Sequence, residues 1–108
     1  MLKWKQDGQC VTVYLSGEID HCASEALRNN IESLIHRSKC LELRMDFSKV
    51  TFMDSSAIGM LIGRYKTMIA LGGKICAQGL SPAIQKLYRM AGLHRIIPII
   101  CEERRKEA

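Results

Sequence analysis

Two hydrophobic periods take turns along this chain, and nothing else in it narrows the choice of fold so far. The run "CLELRMDF" alternates through Leu41, Leu43, Met45 and Phe47, the period of two expected of a strand with one buried face. From Ala57 to Leu71 the chain is instead apolar over much of a helical circumference, with Arg64 and Lys66 among the exceptions. A sequence that passes from strand period to helix period and back must cover a sheet with helices, because each apolar face needs a partner. The expected class is α/β, with a mixed, mostly parallel sheet of about four to five strands packed with helices.

The rest of the chain fits between these elements. "LKWK" and "CVTVYLS" flank "QDGQ", and Asp7-Gly8 predicts an antiparallel hairpin whose second strand ends at Gly17. From Ala23 to about Ser38, the residues Ala23, Leu27, Ile31, Leu34 and Ile35 form an apolar stripe, with Glu25, Arg28, Asn29 and Glu32 opposite. Asp20 stands where it can cap that helix. "SKVT" reads as a short connection, and Gly72-Gly73 as the stop after the second helix. "KICAQ" is a short strand. In "SPAIQKLYRMAG", Ser81 is the N-cap, Pro82 the first helical position and Gly92 the stop, with Ile84, Leu87, Tyr88 and Ala91 facing inward. "RIIPII" reads as a final short strand or extended segment, its Pro98 suited to an edge. The order is β-β-α-β-α-β-α-β, expected to form one domain over residues 1–108, a length that one core accommodates.

Composition removes several classes of function. No apolar run approaches the roughly 18 residues of a membrane span, and "MLKWKQDGQC" lacks the pattern of a secretory leader, so a cytoplasmic protein with no membrane partner is expected. Cys10, Cys22, Cys40, Cys76 and Cys101 are an odd, widely spaced set without a C-x-x-C pair, so most are expected to be small buried hydrophobes; no metal and no cofactor is expected. The net charge of +5 is not organised for nucleic acid. Its densest basic cluster, Arg104-Arg105-Lys106, is flanked by glutamates and reads as a solvated tail, and the aromatics on which bases would stack are few and scattered.

One stretch resists a purely structural reading. In "FMDSSAIGML", Asp54, Ser55 and Ser56 interrupt two apolar runs. An N-cap explains one polar residue before a helix, not three in succession. A serine nucleophile would need a base, and His21 is available if the two helix-starting loops share one edge of the sheet. The G-x-S-x-G elbow is missing, and the glycines form neither a P-loop nor a dinucleotide fingerprint. His36 and His94 read as surface residues. A third possibility is a serine placed to be modified.

The segments "GEID", "DFSKVTFMDSSAIGMLIGRYK", "GGKICAQGLSPAIQKLYRMAGL" and "RII" resemble, in order and over nearly the whole chain, the anti-sigma factor antagonist family, whose fold is the STAS domain. The Asp-Ser-Ser segment before a helix bearing "GRYK" is the most specific part, and with "SPAIQKLYRMAGL" it resembles the family's sporulation branch. The general stress-response branch is the nearest alternative. The resemblance implies a protein that is not an enzyme. Its unphosphorylated form binds an anti-sigma factor and frees a sigma factor for transcription. It implies that Ser55 is the phosphorylation site, that the partner itself is the ATP-dependent serine kinase, and that a metal-dependent serine phosphatase resets the switch. Asp20 matches a family acidic residue near the same surface. The implied partner surface is made by Asp20, His21, Met53 and Asp54, continued by Ser56, Ala57, Ile58 and Gly59.

The chain departs from the family pattern in places. The residue after Ser56 is usually glycine and is Ala57 here, which restricts the backbone if a positive φ is required. Cys22 replaces a more usual polar residue, and the tail after Ile100 is short, so a terminal helix is expected to be truncated or absent. The readings from other classes are a serine hydrolase using Ser55 with His21, and a STAS subunit of a stress-signalling assembly or transport regulator.

Overall fold

The computed structural model describes residues 2–100. They form β1 (Lys3–Asp7), β2 (Cys10–Ile19), α1 (His21–Ser38), β3 (Glu42–Met53), α2 (Ser55–Ala70), β4 (Lys74–Gln78) and α3 (Pro82–Met90), then one 3-10 turn at Leu93–Arg95. Cys101, the Arg104-Arg105-Lys106 cluster and the expected short tail lie outside the described residues.

The sheet runs β1-β2-β3-β4. β1 pairs antiparallel with β2 across Gly8, whose φ of 65° is a left-handed backbone that a side chain would strain. β2, β3 and β4 are parallel, each step made through one helix. Alternation sends Val11, Val13, Leu15, Leu43, Met45, Ile75 and Ala77 into the core. There they join Ile31, Leu34 and Ile35 of α1 and Met60, Leu61 and Met68 of α2, all at most 4 % exposed. Fully burying each such side chain contributes roughly 1.5–3 kcal/mol, which is why one continuous core holds both helices on the sheet.

The third helix follows its punctuation. Ser81 Oγ accepts from Ile84 N at 3.3 Å, Pro82 occupies the first turn, and Gly92 follows the end with φ 78°. Ile84 and Tyr88 are buried, and the Tyr88 ring meets Phe47 edge-on with centroids 5.9 Å apart. Tyr88 Oη donates to Ile97 O at 2.7 Å, satisfying the phenol that burial has pushed to a higher pKa. The expected inward stripe is narrower than the sequence suggests. Leu87 is 41 % exposed and Ala91 faces solvent, because only the i, i+4 line of this short helix reaches the core.

Three other expectations change. β2 does not stop at Gly17; it continues to Ile19 through register shifts, and Gly17 takes φ 75° within the strand. "SKVT" is not a connection, because β3 runs through it to Met53 with Val50 and Met53 buried. "RIIPII" makes only an isolated bridge between Ala77 and Ile99, flanked by Ala77 N to Pro98 O at 2.9 Å and Ile100 N to Ala77 O at 2.8 Å. Proline has no N–H with which to extend that ladder.

Arg64, one of the polar exceptions in the apolar run of α2, is 7 % exposed. Its Nε lies 2.9 Å from Glu32 Oε1 on α1, and its Nη1 donates to Arg28 O at 3.4 Å. Thr67 Oγ1 donates to both oxygens of the same carboxylate at 3.0 Å. Burial lowers the Arg64 pKa, and the Glu32 charge opposes that shift. This polar seam fastens α2 to α1. Of the described cysteines, Cys40 and Cys76 are buried as expected and Cys10 is half-buried, whereas Cys22 is exposed. Burial pushes the Cys76 thiol up to about 11, which leaves it an inert hydrophobe at neutral pH.

Candidate functional site

The parallel register places two helix starts side by side. Ile19, the last residue of β2, lies opposite Met53, the last of β3. The next residue on each chain is an aspartate, and each is an N-cap. Asp20 Oδ1 accepts from Ala23 N at 3.0 Å at the start of α1. Asp54 Oδ1 accepts from Ser56 N at 2.9 Å and from Ala57 N at 3.4 Å at the start of α2. Asp54 N also donates to Ile19 O at 3.4 Å, tying the second start to the end of β2. Both aspartates have extended backbones, the conformation that lets a capping side chain reach the amides a helix start leaves free.

Ser55 is the first residue of α2 and is exposed. Its hydroxyl hydrogen-bonds to no other group among the described residues. Ser56 differs on both counts: it is half-buried, and its Oγ shares a 3.2 Å hydrogen bond with His21 Nδ1 of α1. The amides of the first turn of α2 are largely committed. Ser56 N and Ala57 N go to the Asp54 carboxylate, and Ala57 N and Ile58 N also approach Asp54 O at 3.1 and 3.4 Å. Among the described residues only Ser55 N in that turn lacks a protein acceptor.

The implied surface residues do not all reach the surface. Met53 is 4 % exposed and Ala57 is 0 % exposed, so both side chains belong to the core. Strand alternation turns Met53 inward with Ile19, and Ala57 lies on the core-facing line of α2 together with Met60, Leu61, Arg64 and Met68. The expectation of direct contact through these two side chains is therefore corrected. Ala57 has an ordinary helical backbone rather than a positive φ, so its methyl adds no backbone strain. Asp20, His21 and Gly59 are exposed, while Asp54, Ser56 and Ile58 are half-buried.

Beside them a cleft opens between α1 and α2, lined by His21, Ser24, Glu25, Arg28, Ser56, Gly59 and Met60. Ser24, Glu25, Arg28 and Met60 were not among the residues expected here from the sequence. The available signal was the line from His21 through Glu25 to Arg28 along one side of α1, spaced at i+4 and i+7. Glu25 and Arg28 are an exposed pair at 3.8 Å, which contributes little to stability. The geometry also bears on a serine nucleophile. His21 contacts Ser56 rather than Ser55, and among the described residues no carboxylate hydrogen-bonds its other ring nitrogen. Among the described residues, the Ser55–His21 pair expected of a catalytic serine and a group to orient His21 are not assembled. Elsewhere, His36 is exposed and paired with Glu32 at 3.1 Å, while His94 is half-buried, with its Nδ1 enclosed, rather than a surface residue. No group of three or more His, Cys, Asp or Glu among the described residues is arranged to hold a metal, and no described helix is long and apolar enough to cross a membrane.

The STAS domain family model matches residues 2–107. The chain belongs to the STAS-domain family of anti-sigma factor antagonists. Within that family, the anti-sigma F factor antagonist of Paenibacillus polymyxa is 36% identical over 91 residues, which cover 84% of this chain and 78% of the relative. The anti-sigma-B factor antagonist of Bacillus subtilis is 30% identical over 95 residues, 88% of this chain and 85% of the relative. Among solved structures, the Bacillus cell fate determinant SpoIIAA in its phosphorylated form is similar over 99% of this STAS domain and 97% of its own chain, with TM-score 0.73 and 27% identity.

Proposed function

We propose that this STAS domain is a partner switch: unphosphorylated, it binds an anti-sigma factor and releases a sigma factor, and phosphate on Ser55 turns it off. The observation that carries the reading is the contrast at the start of α2, where Ser55 is exposed and, among the described residues, unbonded beside two capping aspartates, while Ser56 is bonded to His21. The relatives named as antagonists of anti-sigma F and anti-sigma-B factors support the partner class. The sigma F name of one relative supports a sporulation setting, and a cytoplasmic location belongs to the same reading. SpoIIAA solved in a phosphorylated form supports phosphate as the control.

The kinase in this reading is the anti-sigma factor itself, using ATP. Ser55 Oγ attacks the γ-phosphorus, the bond to the bridging oxygen breaks, ADP leaves with that electron pair, and the hydroxyl proton passes to a base of the kinase. A metal-dependent phosphatase reverses the modification by hydrolysis. The phosphate adds about −1.5 to −2 charges and three acceptor oxygens. It does so where Asp54 already occupies most of the free amides and contributes like charge. A helix dipole favours an anion at this end, so the fold tolerates it. Little in the domain embraces it, so it projects toward partner and phosphatase.

At the interface the effect is local. A close-fitting surface that accepts a hydroxyl beside Asp20 and Asp54 must offer donors or cations, and a bulky dianion displaces them. Displaced donors and desolvated charge left without a fitted partner cost several kcal/mol at an interface, and about 1.4 kcal/mol is tenfold in affinity, so a loss of roughly a hundredfold needs no refolding. The test uses Ser55→Ala, Ser55→Asp and Ser56→Ala with the anti-sigma factor and ATP. Ser55→Ala keeps binding in the presence of ATP, Ser55→Asp binds poorly, and Ser56→Ala still takes phosphate. Phosphate found by mass spectrometry on Ser56 alone in the wild type would contradict the assignment.

A further inference from the structure

Two adjacent hydroxyls stand at the start of α2, and a kinase must take one and leave the other. We infer that His21 sets this choice: its bond to Ser56 withdraws the second hydroxyl and leaves Ser55 as the acceptor. The inference rests on the partner-switch reading above and adds a specificity-determining residue to it.

The geometry separates the serines. Ser55 and Ser56 are helical neighbours, so their side chains leave the axis about 100° apart. Ser55 points into solvent. Ser56 faces α1, where His21 Nδ1 lies within hydrogen-bond distance of its Oγ at 3.2 Å. His21 is itself placed by its backbone: it is the first residue of α1, directly after the cap Asp20, and Asp20 follows the β2 end paired to Met53. The ring is therefore delivered from a second helix start at a position fixed by the sheet. Glu25 and Arg28 lie further along the same wall of the cleft and pair with each other, and neither hydrogen-bonds His21.

Transfer to either serine follows one course. A bond forms between Oγ and the γ-phosphorus of ATP, the phosphorus–bridging oxygen bond breaks, ADP takes the electron pair, and the hydroxyl proton goes to a base of the kinase. For Ser56 that course requires the bond to His21 to break first and the ring to move off the approach path. For Ser55 nothing need move. A net hydrogen bond of ordinary strength corresponds to roughly tenfold in the ratio of the two products, before any steric contribution.

The test has an arm that needs no kinase. Long-range nitrogen–proton correlation of the imidazole in the wild type and in Ser56→Ala reads the bond directly. A changed Nδ1 environment in Ser56→Ala is expected, and unchanged spectra would overturn the inference whether or not Ser55 is phosphorylated. The second arm treats wild type, His21→Ala and His21→Asn with the cognate anti-sigma kinase and magnesium ATP, and fragments the products to locate phosphate. The Ser56 share should rise about tenfold in His21→Ala and return toward the wild-type value in His21→Asn, whose amide occupies the place of Nδ1. The same pair in a Ser55→Ala background should show Ser56 modified faster without His21. A general loss of folding would slow both sites without changing their ratio, and thermal melts of each variant separate that case. A fall in the Ser56 share in His21→Ala, or no change, would overturn the inference. Absence of phosphate on both serines in the wild type would instead refute the partner-switch reading.

Discussion

Asp54 caps α2 in this structure and, in the proposed switch, also meets the partner, and replacing it in two ways separates the two roles. As a cap it accepts one good hydrogen bond, from Ser56 N at 2.9 Å, and one long one, from Ala57 N at 3.4 Å. Removing such a cap costs about 1 kcal/mol, within a range of roughly 0.5–2. The carboxylate at the positive end of α2 adds about 0.3–1 kcal/mol. Asp54→Ala loses both, so the expected destabilisation is about 1.5–2 kcal/mol. For a domain of this size that lowers Tm by on the order of 10 °C. Asp54→Asn keeps an acceptor oxygen and loses only the charge, so about 0.5 kcal/mol is expected. Urea unfolding followed by circular dichroism measures both, with slopes that should not change. Binding divides them the other way: Asp54→Asn, still folded, should lose about tenfold in affinity for the anti-sigma factor, as befits a charged hydrogen bond across an interface. Equal destabilisation by alanine and asparagine would show that charge, not capping, holds the start of α2. A cost below about 0.5 kcal/mol for alanine would refute the cap altogether.

Further consequences concern the seam and the open face of the sheet. Arg64→Met breaks the pair with Glu32, whose side chain is 34% exposed and keeps Thr67, so the expected cost is about 2 kcal/mol, between exposed and fully buried pairs. Adding Glu32→Gln should recover part of it, and a double-mutant cycle with coupling under about 0.3 kcal/mol would refute the seam. Asp46 is nearly buried. Burial pushes its pKa up, but hydrogen bonds donated by the Ser48 hydroxyl, Gln78 Nε2 and Ser48 N outweigh burial and hold it below the ordinary value. A carboxyl lowered on folding contributes stability that is present above its unfolded pKa, near about 4, and lost as pH falls through the folded value. Wild type should therefore lose more stability than Asp46→Asn between neutral and strongly acidic pH; parallel urea midpoints across that range would contradict this.

Local punctuation was the part of the fold most open to reading from sequence. Asp20, Asp54 and Ser81 cap the three helices because each offers a short acceptor just before an apolar period, and Gly72 and Gly92 follow helix ends with positive φ. What escaped depends on partners distant in sequence. The burial of Arg64 was not legible because nothing beside it in sequence reveals Glu32, one helix away. Met53 and Ala57 looked like surface residues because they flank Ser55 and Ser56, yet strand and helix geometry turn them inward. "SKVT" reads as a turn by composition, but pairing with β2 extends β3 through it, and that pairing also brings the two caps together. Ser55 was legible as a candidate from the resemblance. The different fate of Ser56 was not, since it requires His21 from another helix start.

The central claim is that phosphate on one hydroxyl decides whether two proteins meet, without remaking the domain that carries it. Calorimetric titration of the anti-sigma factor with the unmodified protein and with protein carrying phosphate on Ser55, each also mapped by amide chemical shifts, tests it most directly. The account predicts an affinity lower by about a hundredfold or more for the modified form, with shift changes confined to the starts of α1 and α2. Equal affinities, or changes spread through the sheet, would contradict it.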